Sequence, residues 1–284
     1  MAALTESALR EAIARSIRDL PAMPEIVNEV LAETRRETCT ADRIAMLVGA
    51  DQAISAKVLK VVNSAYYGFS GQISSITQAV LILGVVQVRN LVLSIAASGM
   101  FNARTPTQKA AHVEFWSQSL GAGIAAQSLA RMRRETDAFS ELCFAGGLLH
   151  DIGDIFLQQH FPDAHRECVN WCQSKQKPRI EGDMKFFGAD HTAVGAVLAR
   201  VWQLPPEVEE AILKHEGPTE SSSPQTVHYV HYADWLAKKV LEKSAPDPCG
   251  ATLEALQLNP EETNNLFEGT KVEIANAKSL FGIL

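Results

Sequence analysis

The sequence has no apolar run long enough to cross a membrane. The longest, residues 79–88, is interrupted by Gly84 and Gln87 and falls far short of the roughly 20 residues that a bilayer requires. Residues 1–20 have the pattern of an amphipathic helix with acidic side chains, and they lack the basic and then apolar segments of a secretion signal. We therefore expect a cytoplasmic protein with no membrane partner.

Cysteine is scarce and shows no paired spacing. Five cysteines are scattered over 284 residues, and Cys168 and Cys172 are four residues apart in a predicted helix rather than in a CxxC array. This pattern does not indicate a disulfide framework. Free thiols, as in a reducing compartment, are the expectation.

Positive charge is also in deficit. The formal net charge is -7, and the only dense basic cluster, within residues 131–134, is predicted to end a helix, where cations complement the helix dipole. Residues 76–95 have the spacing of two adjoining helices, but the second is not basic, as a DNA-reading helix would be. We expect no nucleic-acid partner.

Alternating strand patterns are missing, whereas apolar residues recur at helical spacing almost everywhere. Helix starts are marked by Thr40 and Asp51 as caps and by Ser75 with Gln78 as a capping box. With 46% apolar residues, the chain can bury a sizeable core. The predicted fold class is all-α.

Two polar segments suggest boundaries between helical units. Residues 102–107 interrupt the apolar periodicity with polar residues and Pro106, and residues 244–250 form a second loop. We predict an N-terminal helical lobe over residues 1–105, a second helical lobe over 106–245 and a C-terminal helical extension over 246–284.

A histidine and a carboxylate end the apolar helix of residues 139–149. His150 continues its apolar face, and Asp151 follows directly. Two polar groups at the end of a buried face are costly unless they are paired, and a metal ion is one such partner. The alternative is a hydrogen-bonded core histidine beside an aspartate that caps the helix from Ile152.

Three more polar residues occupy inward positions on distant helices. His215 closes an apolar face with the same spacing as His150, His191 begins a helix, and Asp234 lies within an apolar stripe. His231, three residues before Asp234, is a simple alternative partner for that carboxylate.

These inward residues together resemble the ligand set of a helical metal site. Imidazole and carboxylate ligands suit iron, manganese, zinc or nickel, and such ions activate water and hold phosphoryl oxygens. The candidate ligands are His150, Asp151, His191, His215 and Asp234. The chemistry that such a site implies is hydrolysis of a phosphate ester.

Several motifs resemble known families. HDIGD at 150–154, after FAGGLL, resembles the signature of the HD superfamily of metal-dependent phosphohydrolases. LPAMPEI at 20–26, DQAISAKVLKVVNSAYYG at 51–68 and HTAVGAVLARVWQLP at 191–205 are similar to the HDOD family. This resemblance implies an N-terminal helical lobe packed on an HD-like helical core, and a role in bacterial signalling. It also matches the five candidate ligands to metal-binding positions of the wider superfamily.

The same comparison reveals departures from the catalytic pattern. Gln118 stands where the superfamily enzymes have their first metal-binding histidine, and a neutral amide is a poor replacement. Glu216 stands where related cyclic-di-GMP phosphodiesterases have a second histidine, and Asp154 replaces a basic residue. An acidic Asp154 is expected to repel a phosphate.

These departures favour a non-catalytic regulatory module that acts by binding a regulatory protein or a small ligand of nucleotide type. The alternative is a metal-dependent phosphohydrolase acting on a nucleotide or cyclic dinucleotide. We assign no catalytic residue from the sequence.

Overall fold

A computed structural model describes residues 6–20, 23–63, 67, 69, 72–101, 105–218, 220–221, 223–243 and 245–283. Within these residues the chain forms sixteen α-helices and no strand, which confirms the all-α prediction. The five cysteines are free thiols, as predicted. No single helix of the described residues is long and apolar enough to span a membrane, although the helices Ile76–Leu83 and Val85–Gly99, bent by 120° at their junction, reach that length and composition together.

The second to sixth helices pack largely on one another, whereas the first packs against the helix Arg179–Phe187. Their bounds are α1 Glu6–Arg18, α2 Glu25–Glu33, α3 Ala41–Ala50, α4 Gln52–Val62, α5 Ile76–Leu83 and α6 Val85–Gly99. The predicted caps form, since Thr40, Asp51 and Ser75 accept hydrogen bonds from the amides of Arg43, Ile54 and Gln78. The helix α6 is buried from residue 88 to 98, so its one basic side chain, Arg89, does not face solvent.

The middle of the chain forms eight helices, and the long first one packs against the second and the last of them. Their bounds are α7 Pro106–Met132, α8 Asp137–Leu149, α9 Ile152–His160, α10 Pro162–Lys175, α11 Arg179–Phe187, α12 His191–Val201, α13 Pro206–Lys214 and α14 Gln225–Val240. Close contact between α7 and α8 depends on glycine, because a Cβ on Gly147 would lie 2.7 Å from Cα of Gly123. Gly147, the second glycine of the GG pair before His150, therefore lets α8 pack directly on α7.

The predicted hinge at residues 102–107 is partly a helix start. Residues 102–104 lie outside the described residues, but Thr105 caps α7 in a capping box with Gln108, and Pro106 is its first residue. The helix α7 therefore begins within the segment that the sequence predicted as a hinge.

The last two helices, α15 Gly250–Leu256 and α16 Pro260–Ile283, pack against α14 and α7. Arg133, at the end of α7, holds them by donating to the carbonyls of Leu256 at 2.6 Å and Gln257 at 3.2 Å. The basic cluster of residues 131–134 thus contributes an anchor for the C-terminal helices.

One apolar core runs through both predicted lobes. It joins buried residues of α1–α6, such as Val58 and Val92, to residues of α8–α13, such as Leu149 and Ile212. A buried ion pair between Arg89 of α6 and Glu141 of α8 also crosses this junction. The two lobes therefore share their packing.

Candidate metal centre

His150 and His215 are built into the fold in the same way. Each follows the last residue of a helix, and its Nδ1 lies close to the carbonyl oxygen three residues earlier, at 2.7 Å for Gly147 and 2.8 Å for Ile212. Because a carbonyl only accepts, Nδ1 carries the proton and Nε2 of each ring is turned inward. The two rings are both fully buried and meet edge to face, with centroids 4.9 Å apart.

His191 is oriented by a buried carboxylate. Asp183 of α11 accepts from Nδ1 of His191 at 2.6 Å and from its backbone amide at 3.1 Å. Arg179, one turn earlier on α11, donates to the other oxygen of Asp183 at 2.8 Å. Nε2 of His191 therefore also points inward, which is the arrangement found around metal-binding histidines.

Asp151 stands at the centre of these rings. Its Oδ1 lies 3.2 Å from Nε2 of His215 and 3.5 Å from Nε2 of His191, and its Oδ2 lies 3.1 Å from Nε2 of His150. Asp151 does precede α9, as the capping interpretation expected, but its side chain makes no capping hydrogen bond. The carboxylate instead contacts the three histidine rings.

Asp234, on α14, is held by three donors. Its Oδ1 lies 3.1 Å from Nε2 of His150 and accepts from Nε2 of Gln118 at 3.3 Å, while its Oδ2 lies 2.5 Å from Nζ of Lys238. The alternative pairing with His231 does not form, because His231 contacts the carbonyl of His215 and the amide of Cys249.

The structure brings all five predicted residues together, in two groups that share Asp151. The first contains His150, Asp151 and Asp234, and the second contains Asp151, His191, His215 and Glu216. Within each group the ligand atoms lie within 4.8 Å of one another. The donors are imidazole nitrogens and carboxylate oxygens, which suit a divalent transition metal.

The charges of the site shift several ionisation equilibria. Burial lowers the pKa of His150, but the carboxylates of Asp151 and Asp234 outweigh it and raise that pKa to about 10. Burial raises the pKa of Glu216, but His191 and Lys238 outweigh it and lower that pKa to about 2. The pKa of Asp234 is held well below its usual range, because Lys238 and His150 outweigh its burial. The carboxylates of the site are therefore ionised at neutral pH.

Asp154 does not present the free negative charge that the sequence suggested. It forms an ion pair with Arg179 and lies 3.0 Å from Nε2 of His165. The expected repulsion of a phosphate is therefore largely compensated within the protein. The cause is that Arg179 of α11 and His165 of α10 reach Asp154 across helix interfaces, which the HDIGD motif alone does not reveal.

Sequence reasoning missed two kinds of contributor. Lys238 lies four residues after Asp234, and that spacing could have indicated an ion pair on one helix. Asp183 and Lys243 gave no comparable signal, because their partners, His191 and Gln118, lie on other helices.

A family comparison agrees with this architecture. The family model of the HDOD domain matches residues 20–218. An uncharacterized protein of Treponema pallidum (strain Nichols) is 26% identical over 209 residues, which are 74% of this chain and 40% of that protein. The chain thus spans less than half the length of this relative.

Solved structures share the fold. A candidate signal transduction protein from Marinobacter aquaeolei VT8 matches with a TM-score of 0.77 and 20% identity, covering 99% of this chain and 67% of that one. A candidate phosphohydrolase from Shewanella amazonensis SB2B matches with a TM-score of 0.73 and 21% identity, covering 95% and 98%. At these identities the likeness concerns the fold alone. The HDOD domain model, in contrast, matches more than half of this chain, and the chain therefore belongs to the HDOD domain family.

Proposed function

We infer that this chain is a non-catalytic regulatory module of signal transduction, which acts by binding a protein or a small ligand of nucleotide type. The observation that carries this proposal is the set of internal contacts made by the carboxylate of Asp234. Both of its oxygens are engaged by internal donors, including the ammonium of Lys238 at 2.5 Å. In the hydrolases that the HDIGD motif resembles, the matching carboxylate binds the metal.

Gln118 supports the same interpretation. Lys243 donates to its Oε1 at 2.8 Å, and Glu114 holds Lys243 at 3.0 Å. The amide nitrogen of Gln118 is therefore the atom turned toward Asp234. An amide N–H has no lone pair to offer a metal ion, so this position supplies a donor where an enzyme would supply a ligand.

The similarity to a candidate signal transduction protein favours the regulatory role, and the similarity to a candidate phosphohydrolase favours the alternative. The alternative also draws on the geometry of the second group, in which two histidines and two carboxylates converge. A hydrolase of nucleotides or cyclic dinucleotides therefore remains the second candidate.

Turnover assays separate the two candidates. The purified chain is incubated with manganese, iron, nickel or zinc and either bis(p-nitrophenyl) phosphate or cyclic di-GMP, and the products are separated by chromatography. We expect no more product than with Asp151→Ala, which lacks the central carboxylate. Metal-dependent turnover that Asp151→Ala abolishes would establish the hydrolase and overturn the regulatory proposal.

Binding measurements test the regulatory proposal directly. Thermal unfolding of the chain is followed in the presence of mononucleotides and cyclic dinucleotides. Pull-down experiments test candidate response regulators and kinases of the source organism as protein partners. The regulatory proposal predicts at least one saturable ligand or partner that is released chemically unchanged.

A further inference from the structure

The second group of side chains already has the dimensions of a four-coordinate metal site. From Oδ1 of Asp151, Nε2 of His215 is 3.2 Å away and Nε2 of His191 is 3.5 Å away. Oε1 of Glu216 lies 3.5 Å from Nε2 of His191 and 3.8 Å from Nε2 of His215. A tetrahedral ion with bonds of about 2.1 Å places its ligand atoms about 3.4 Å apart. All four atoms therefore stand close to the positions that such an ion requires.

A buried nitrogen in this group lacks a hydrogen bond. Nε2 of His215 is fully buried and makes none, although Oδ1 of Asp151 lies 3.2 Å away. Because Nδ1 of this ring donates to the carbonyl of Ile212, Nε2 is the ring nitrogen that faces the carboxylate oxygen. A buried polar atom without a hydrogen bond is costly, and a metal ion bound to this nitrogen would remove that cost.

The carboxylate of Glu216 stays available to a metal ion. It faces the two histidine nitrogens together with Asp151, whereas the ammonium of Lys238 contacts Asp234. Lys238 lies 3.9 Å from Oε1 of Glu216, beyond hydrogen-bond distance, so that oxygen keeps a lone pair for a ligand bond.

In the first group, the carboxylate of Asp234 is already contacted by a cation and by hydrogen-bond donors. Lys238 contacts Oδ2 of Asp234 at 2.5 Å, and Gln118 and His150 contact Oδ1. A metal ion bound there would stand beside the ammonium and would be repelled by it. This group does not fit the ion that the superfamily pattern implies.

We propose that Asp151, His191, His215 and Glu216 bind one divalent transition-metal ion, and that Lys238 takes the place of a second ion at Asp234. Four protein ligands fill a tetrahedral shell, as in structural zinc sites, whereas catalytic sites keep a position open. The ion would fasten the start of α12 to the end of α13 and the start of α9. This inference goes beyond the proposed regulatory role and does not depend on it.

Metal binding is measured on the full chain without any activity assay. Protein stripped with EDTA is titrated with Zn²⁺ against a chromophoric chelator, and bound metal is counted by elemental analysis. We expect one Zn²⁺ per chain, a higher Tm with Zn²⁺, and at least about a tenfold weaker affinity in Glu216→Gln, which removes a charged ligand. The control is Glu207→Gln, which alters an exposed carboxylate nine residues earlier and should bind as the parent does.

Two further measurements keep the proposal open to contradiction if Glu216→Gln fails to fold. Co²⁺ bound to the parent chain should give the intense visible spectrum of tetrahedral coordination. The double variant Gln118→His, Lys238→Met should bind a second ion, because it restores a histidine and removes the ammonium. The proposed single site is contradicted if the parent chain binds no Zn²⁺ or two ions, or if bound Co²⁺ gives an octahedral spectrum. The proposed role of Lys238 is contradicted if the double variant still binds one ion. Turnover with Zn²⁺ would overturn the regulatory role while leaving the metal site intact.

Discussion

Nζ of Lys238 lies 2.5 Å from Oδ2 of Asp234, one helical turn away on α14. Both side chains are largely buried, with 23% and 7% of their areas exposed. The ammonium lowers the pKa of Asp234, and the carboxylates around Lys238 raise the pKa of that lysine above its usual value. This pair supplies a positive charge from the protein where the superfamily pattern implies a metal ion.

Removing this ammonium should destabilise the chain. In Lys238→Met, Asp234 keeps only the donors Gln118 and His150, so a buried carboxylate loses its main counterion. We expect the free energy of unfolding in urea, with EDTA present, to fall by about 3 kcal/mol. Lys271→Met removes an exposed lysine and should change it by less than about 0.5 kcal/mol. Equal effects of the two substitutions would contradict a special role for Lys238.

Asp183 should be needed to orient His191. Asp183→Asn replaces the carboxylate that accepts from Nδ1 and the backbone amide of His191 by a neutral amide. Arg179 then loses one of its two anionic partners. We expect a loss of about 3 kcal/mol in the free energy of unfolding and a changed imidazole nitrogen NMR signal for His191.

The matched control for that prediction is Asp190, the N-cap of α12, which is the helix that begins with His191. Asp190 accepts from the amide of Ala193, and asparagine caps helices as well as aspartate does. Asp190→Asn should therefore change the free energy of unfolding by less than about 0.5 kcal/mol. A loss as large as that of Asp183→Asn would show that any charge removed near α12 has the same effect.

The contact between α9 and α12 should tolerate no side chain at Gly153. A Cβ there would lie 1.9 Å from the carbonyl oxygen of His191 and 2.7 Å from the amide nitrogen of Gly195. Because these are backbone atoms, the helices would have to separate, and Asp151 would move away from His191. We expect Gly153→Ala to lower the free energy of unfolding by about 3 kcal/mol, at the upper end for overpacking.

Gly49 provides the comparison, because a Cβ on this residue of α3 would meet nothing within 4 Å. Gly49→Ala should leave the protein as stable or raise the free energy of unfolding by about 0.5–1 kcal/mol, through the better helix propensity of alanine. Similar unfolding curves for the two variants would contradict close packing at Gly153.

The ion pair of Asp154 should give a measurable acid dependence. Burial raises the pKa of Asp154, but Arg179 and His165 outweigh it and lower that pKa to about 2, below the usual aspartate pKa of about 4. The pKa is lower in the folded state, so the stabilisation is present above about pH 4 and is lost as the pH falls toward 2. Between pH 6 and pH 3 the parent chain should lose about 1 kcal/mol more of its unfolding free energy than Asp154→Asn. Parallel pH profiles from urea titrations would contradict this ionisation.

The sequence was sufficient for the fold class and for the inward direction of the main polar residues. Helical periodicity placed His150 and His215 at the ends of apolar faces, and both lie there with the same hydrogen bond to a carbonyl three residues earlier. Cap signals at Thr40, Asp51 and Ser75 also proved correct, because a cap depends on neighbours three residues away. Such features are local, and local features can be derived from residue order.

Only the tertiary structure decided which side chains meet. Three contacts depend on how the helices pack and turn. Asp234 pairs with Lys238 rather than His231, Arg179 compensates the charge of Asp154, and Glu216 approaches His191. Residue spacing fixes the face on which a side chain lies, but not the partner across the interface, because that partner is set by interhelical distance and rotation. The sequence by itself thus determined an all-α chain with inward histidines and carboxylates, and packing divided them into one group that a lysine contacts and one in which two histidines and two carboxylates converge.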